Sequence, residues 1–65
     1  MFSYTPLFIL LAKKKMSKTK LRELTGIGTG TLAKMSKDEY VSMEVLDKIC
    51  KCLDCKIEEV IEHMQ

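Results

Sequence analysis

The stretch Ser17–Tyr40, SKTKLRELTGIGTGTLAKMSKDEY, decides how this chain folds. Ser17 suits a helix cap, because its hydroxyl can accept from a free backbone N–H of the first turn. A helix from Lys18 to Thr25 puts Leu21 and Leu24, three residues apart, on an inward face. Gly26 stops it, since glycine adopts the left-handed backbone of a tight helix terminus without steric cost. Ile27 then plugs the turn from the core side. A second helix opens at Gly28 or Thr29 and runs to about Lys37, with Leu32 and Met35 turned toward the first. Its opposite side carries Gly30, Ala33, Lys34 and Lys37, a small and basic surface with nothing apolar larger than Ala.

Outward from this pair, the flanking sequence also reads as helical. Met1–Thr5 is expected to be extended, with Thr5 as cap and Pro6 in the first turn of a helix that continues to about Lys15. Leu7, Leu10 and Leu11 form its core stripe, and the three lysines at its end complement the negative pole of the helix dipole. Asp38–Val41 is a loop. Ser42 caps a fourth helix, with Glu44 in its first turn and Val45, Leu46, Ile49, Cys50 and Leu53 recurring at helical spacing. Asp54–Lys56 connects to a fifth helix, Ile57 to about His63, which presents Ile57, Val60, Ile61 and Met64 to the core. No stretch alternates for long enough to require a sheet. The expected fold is all-α, five short helices in one domain spanning residues 1–65.

Sixty-five residues leave no room for a deep catalytic cleft. A chain this short buries only about 60% of its unfolded surface, so a partner subunit would help to stabilise it. The net charge of +2 conceals a division: residues 1–37 hold eight basic side chains against one acid, while residues 38–65 hold three against eight. One end attracts polyanions and the other repels them. The apolar run Leu7–Ala12 is followed by Lys13–Lys15, whereas a secretory signal carries its positive charge first; six residues are also too few to span a membrane. Three cysteines without an export signal fit reduced thiols and a cytoplasmic location.

A major groove admits one helix whose outward side chains are polar, allow close approach, and are flanked by phosphate donors. The helix after Gly28 fits that description. Thr29 and Thr31 offer hydroxyls and a methyl for thymine, and Lys34 can donate to guanine O6 and N7. Lys18, Lys37 and Tyr40 fall where a phosphate backbone would pass, and Thr19 and Gly28 complete the candidate DNA-binding set.

With these residues in place, nearly the whole chain resembles a Cro and lambda-repressor-type (XRE-like) helix-turn-helix domain, in a small single-domain subgroup. Lys18–Lys37 is similar to the family's twenty-residue motif, and EYVSMEVLDKICKCLDCKIEEVIE to its fourth and fifth helices. The resemblance implies sequence-specific binding of double-stranded DNA by a transcriptional regulator, a repressor occluding a promoter. It also implies that Thr29, Gly30 and Lys34 contact bases and that Lys18, Tyr40 and Ser42 contact phosphates. Three features depart from the pattern. Arg22 stands where the family keeps a small Ala, so its stem must snorkel outward. Gly28 replaces a capping Ser or Thr, and Gly30 costs about 1 kcal/mol of helix propensity relative to Ala. The recognition helix is therefore expected to fray until DNA orders it. With no Gln, Asn or Arg among the readers, specificity is expected to lean on DNA shape.

Other candidates are weaker. Cys50, Cys52 and Cys55 suggest a metal site with His63, but side chains two apart on a helix point about 200° from each other, so only Cys52 and Cys55 could share a face. Cys50 reads as a core residue, and no metal or cofactor is expected. Lys51 and Lys56 could favour a thiolate at an exposed Cys52 or Cys55. His63, the sole histidine, has no catalytic pattern around it, so no enzyme is expected. Phe8 and Ile9 cannot both enter one core, and with Met1–Tyr4 they leave a surplus of apolar surface that suggests a homodimer through the N-terminal segment and first helix. The alternative function is a protein-interaction module docking to another regulator through that helix, with the basic face unused.

Overall fold

The computed structural model describes residues 1–65. Four α-helices appear in order: α1 (Thr5–Lys13), α2 (Lys18–Thr25), α3 (Thr29–Ser36) and α4 (Met43–Leu53). A single 3-10 turn, Ile57–Glu59, follows. Two short strands, β1 (Phe2–Ser3) and β2 (Glu62–His63), pair antiparallel with Phe2 opposite His63 and Ser3 opposite Glu62.

The caps largely follow the sequence. Ser17 Oγ accepts from Lys20 N at 3.0 Å, and Ser42 Oγ accepts from Val45 N at 3.2 Å. Gly26 ends α2 at φ 75°, and Thr25 Oγ1 donates to the Leu21 carbonyl at 2.7 Å beside it. The start of α1 differs from expectation. Thr5 is not its cap: buried Ser3 accepts from Thr5 N at 3.2 Å, and Leu7 N reaches across the fold to the Val60 carbonyl. The other helices end without glycine, with Lys15, Asp38 and Asp54 each at positive φ just beyond α1, α3 and α4.

The core consists of Tyr4, Leu7, Leu11, Leu21, Ile27, Met35, Leu46, Ile49, Leu53 and Val60. All four helices, the turn between α2 and α3, and both termini contribute to it. Leu24 does not, being 52% exposed. The chain reverses at Gly26 two residues later, and Ile27 supplies the side chain that fills the space under the turn.

The expected fifth helix is the main correction. Residues 57–63 form only the 3-10 turn, in which Lys56 N donates to Glu59 Oε2 at 2.8 Å, followed by β2. Pairing with the amino terminus takes precedence over local helical preference, and Met64 N donates to the Met1 carbonyl at 2.8 Å as the ladder continues. Val60 is buried as predicted, but Ile57 and Met64 are exposed. Two-residue strands are too short to show alternation, which is why the sheet left no trace in the pattern.

Candidate nucleic-acid interface

The turn at Gly26 sets α3 against α2, and lysines are exposed on both helices, Lys18 and Lys20 on α2 and Lys34 on α3. Met35 is fully buried and Leu32 half-buried, which fixes the rotation of α3 about its axis. Thr29, Gly30, Ala33, Lys34 and Lys37 are therefore exposed together, with Thr31 half-buried at the edge. Gly28 is the N-cap of α3 at φ −77° and ψ 161°, with no side-chain hydrogen bond. A Cβ built at Gly28 or Gly30 would meet no atom within 4 Å, so both positions are open to whatever approaches. With Gly28 as its cap and Gly30 within it, α3 is helical over all eight residues, anchored by Met35 and Leu32.

Lys18 joins the two ends of this surface. Its Nζ lies 3.4 Å from Ser36 Oγ and 4.6 Å from the centroid of the Phe8 ring. The first residue of α2 thus meets the last residue of α3 over an aromatic platform from α1. Neither Ser36 nor Phe8 was legible as part of the site, since nothing in their spacing shows that both would lie beside Lys18. Thr19 is exposed one residue on, and Arg22 is half-buried. Ser42 is exposed, its Oγ engaged as the α4 cap. Tyr40 is 74% exposed and lines an apolar groove with Phe2, Tyr4, Val41, Met43, Leu46 and Ile61. The loop holding it is tied down from the other terminus. Tyr4 N donates to Asp38 Oδ1 at 3.1 Å, and Tyr4 Oη donates to the Glu39 carbonyl at 2.7 Å.

The cysteines do not form the pairing that helix geometry suggested. The left-handed Asp54 turns the chain back, so Cys55 N donates to the Cys50 carbonyl at 3.1 Å. Cys55 meets Cys50 and not Cys52 because α4 ends at Leu53, before Cys55 could take a helical position. All three thiols are half-buried. Burial, with Cys50 alongside, pushes the Cys55 thiol from an ordinary 9.0 up to about 11, which corrects the expectation of an activated thiolate there. A raised thiol pKa in the folded state adds stability that is complete below the unfolded value and disappears as pH climbs through the folded one. The melting temperature is thus expected to fall between about pH 9 and about pH 11, and less steeply in Cys55→Ala. Identical pH profiles for the two proteins would refute this.

A pair of helices joined at a left-handed glycine, with the second exposing a polar and basic outer face, defines a helix-turn-helix domain. The chain belongs to the family of Cro/C1-type HTH DNA-binding domains, whose model matches residues 7–65. It is 37% identical over 57 residues to the uncharacterized HTH-type transcriptional regulator YozG of Bacillus subtilis (strain 168), covering 85% of this chain and 68% of that protein. Among solved structures, the crystal structure of transcriptional regulator VanUg, Form II, is similar with a TM-score of 0.94 and 41% identity. That match covers 97% of this chain and 84% of the other. The chain is thus a transcriptional-regulator DNA-binding domain. No helix is long and apolar enough to cross a membrane.

Proposed function

We propose that the domain binds double-stranded DNA sequence-specifically with α3 in the major groove and acts as a repressor that occludes a promoter. The observation that carries this reading is the outer face of α3, where Thr29, Gly30, Lys34 and Lys37 are exposed together while Leu32 and Met35 hold the helix to the core. Thr29, Gly30, Thr31 and Lys34 approach base edges in this arrangement. Lys18, Thr19, Gly28, Lys37, Tyr40 and Ser42 flank them toward the phosphates. Two copies on a palindromic site would set their recognition helices about 34 Å apart, one turn of the duplex.

The alternative, docking of another regulator through α1, has less support. Phe8 is packed against the core with Lys18 over its ring, leaving only Ile9 of that pair exposed. The two readings differ in salt dependence. Binding through lysines predicts a log affinity that falls by about 0.9 per log unit of salt for each phosphate neutralised.

Substitution separates readers from positioners. On a site obtained by selection from random DNA, Lys34→Ala is expected to cost about 1–3 kcal/mol and to relax preference at one base pair. Lys18→Ala should weaken selected and random duplexes alike and reduce the salt slope by about one. Equal losses on both kinds of DNA for Lys34→Ala would refute its role as a reader.

A further inference from the structure

Both ion pairs of the molecule lie on α4, where Lys48 meets Glu44 at 3.4 Å and Lys51 meets Asp47 at 3.1 Å. Each of these lysines is neutralised by an acid of its own helix. Lys18 is held differently. Its ammonium lies 4.6 Å from the centroid of the Phe8 ring and 3.4 Å from Ser36 Oγ, so residues of α1 and α3 fix the first side chain of α2. Neither partner carries a charge.

The two holding groups are themselves fixed. Phe8 is half-buried and packs against the core, which makes its ring a rigid platform. Ser36 Oγ donates its one proton to the Leu32 carbonyl at 3.2 Å, which leaves its lone pairs to accept from Lys18. An ammonium has three N–H donors, so one bond to Ser36 leaves two for an incoming anion. Lys18 stays exposed while it is held.

We infer that Phe8 and Ser36 are positioning residues for DNA binding, which hold the Lys18 ammonium ready for a backbone phosphate without neutralising it. The assignment rests on the proposal that the domain binds DNA with α3 in the major groove. Lysine has one of the largest rotamer entropies of any side chain, and immobilising it on a phosphate opposes binding. A lysine that is already held loses less on binding, so the contact is tighter. A carboxylate at either position would hold the side chain too, but it would compete with the phosphate for the charge. An aromatic face attracts a cation through its quadrupole and leaves the net charge unchanged.

Positioning and contact differ in their salt dependence. Lys18→Ala removes a phosphate contact and lowers the slope, whereas Phe8→Leu keeps that contact in the complex and reduces only the fraction of free protein with the side chain in place. Titration of random-sequence duplex DNA with the full chain across a series of NaCl concentrations measures both. Phe8→Leu is expected to weaken binding about 2- to 5-fold at every salt with the wild-type slope, the factor that a cation–π contact at an exposed site supplies. Phe8→Tyr keeps the ring and should bind as the wild type does. Ser36→Ala, at an exposed position outside the core, should also weaken binding with the slope unchanged. In a Lys18→Ala background neither Phe8→Leu nor Ser36→Ala should weaken it further.

Circular dichroism confirms that each variant keeps its helices, and proton NMR of the DNA-free protein checks the contact itself. The Lys18 ε-methylene protons are expected upfield of those of the other lysines in the wild type and Phe8→Tyr, through the ring current, and at the ordinary position in Phe8→Leu. Affinity of Phe8→Leu equal to or above that of the wild type, an equal loss in the Lys18→Ala background, a reduced salt slope for Phe8→Leu, or an unshifted Lys18 in the wild type would each overturn the inference. A wild type that binds no duplex would end the DNA-binding reading and this inference with it, whereas zero coupling in a wild type that binds ends only the inference.

Discussion

Tyr4→Ala is expected to destabilise the domain by about 3–5 kcal/mol, a cost typical of deleting a buried aromatic ring. A domain of this length has a total stability of only about 3–10 kcal/mol, so the variant should be largely unfolded or close to it. Tyr4 is only 3% exposed and contributes to the core from outside every helix. Burial holds its phenol above the ordinary 10.0, and the hydroxyl is not left unpaired, since it donates to the Glu39 carbonyl. Tyr4→Phe separates the two contributions. It keeps the ring and removes one hydrogen bond, so a loss of about 1 kcal/mol is expected. Urea denaturation of the three proteins measures both, and a cost below about 1 kcal/mol for Tyr4→Ala would show that the amino-terminal segment is not part of the core.

Gly30→Leu should move stability and DNA affinity in opposite directions. In the free protein a side chain at this position projects into open space, and leucine is a better helix former than glycine by about 0.8 kcal/mol. The melting temperature should rise. Bound to DNA with α3 in the major groove, the same side chain would stand between the helix and the base edges, and affinity is expected to fall on the order of 100-fold, about 2.7 kcal/mol. An affinity equal to that of the wild type would show that this face does not approach DNA and would end the proposed orientation. Gly30 thus has a physical rationale at the interface that its helix propensity obscures.

Much of this site could be read in advance because its signals are local. Ser17, Gly26 and Ser42 each satisfy or release backbone groups within three or four residues of themselves, and helix ends depend mainly on such neighbours. The outer face of α3 followed from the spacing of Leu32 and Met35. The errors occurred where distant segments compete. Residues 57–63 have the composition of a helix but lie beside Met1–Ser3, and a ladder between the two ends of the chain replaces the last helix. Leu24 has the right spacing for the core and misses it because the helix ends one residue later.

The cysteines and the apolar surplus illustrate the same division. CxCxxC on a continuous helix would direct Cys52 and Cys55 together, but one left-handed residue, Asp54, directs Cys55 to Cys50. The excess of apolar residues is evident from composition, and the sequence places it on Met1–Tyr4 and α1, where Met1, Phe2 and Ile9 are exposed. That Tyr40 and Met43 are exposed as well depends on which side chains the fold had already covered.

Three things were readable from the order of residues alone: a helix-turn-helix at Ser17–Tyr40, its basic outward face, and the opposite charges of the two halves. Each follows from backbone capping, a 3.6-residue period or a count of ionisable groups, none of which needs a distant partner. Only the tertiary structure decided that the two termini pair, that Lys18 rests between Phe8 and Ser36, and that an apolar groove borders Tyr40. Those contacts join segments far apart in the chain, and their geometry is set by the packing of the whole core.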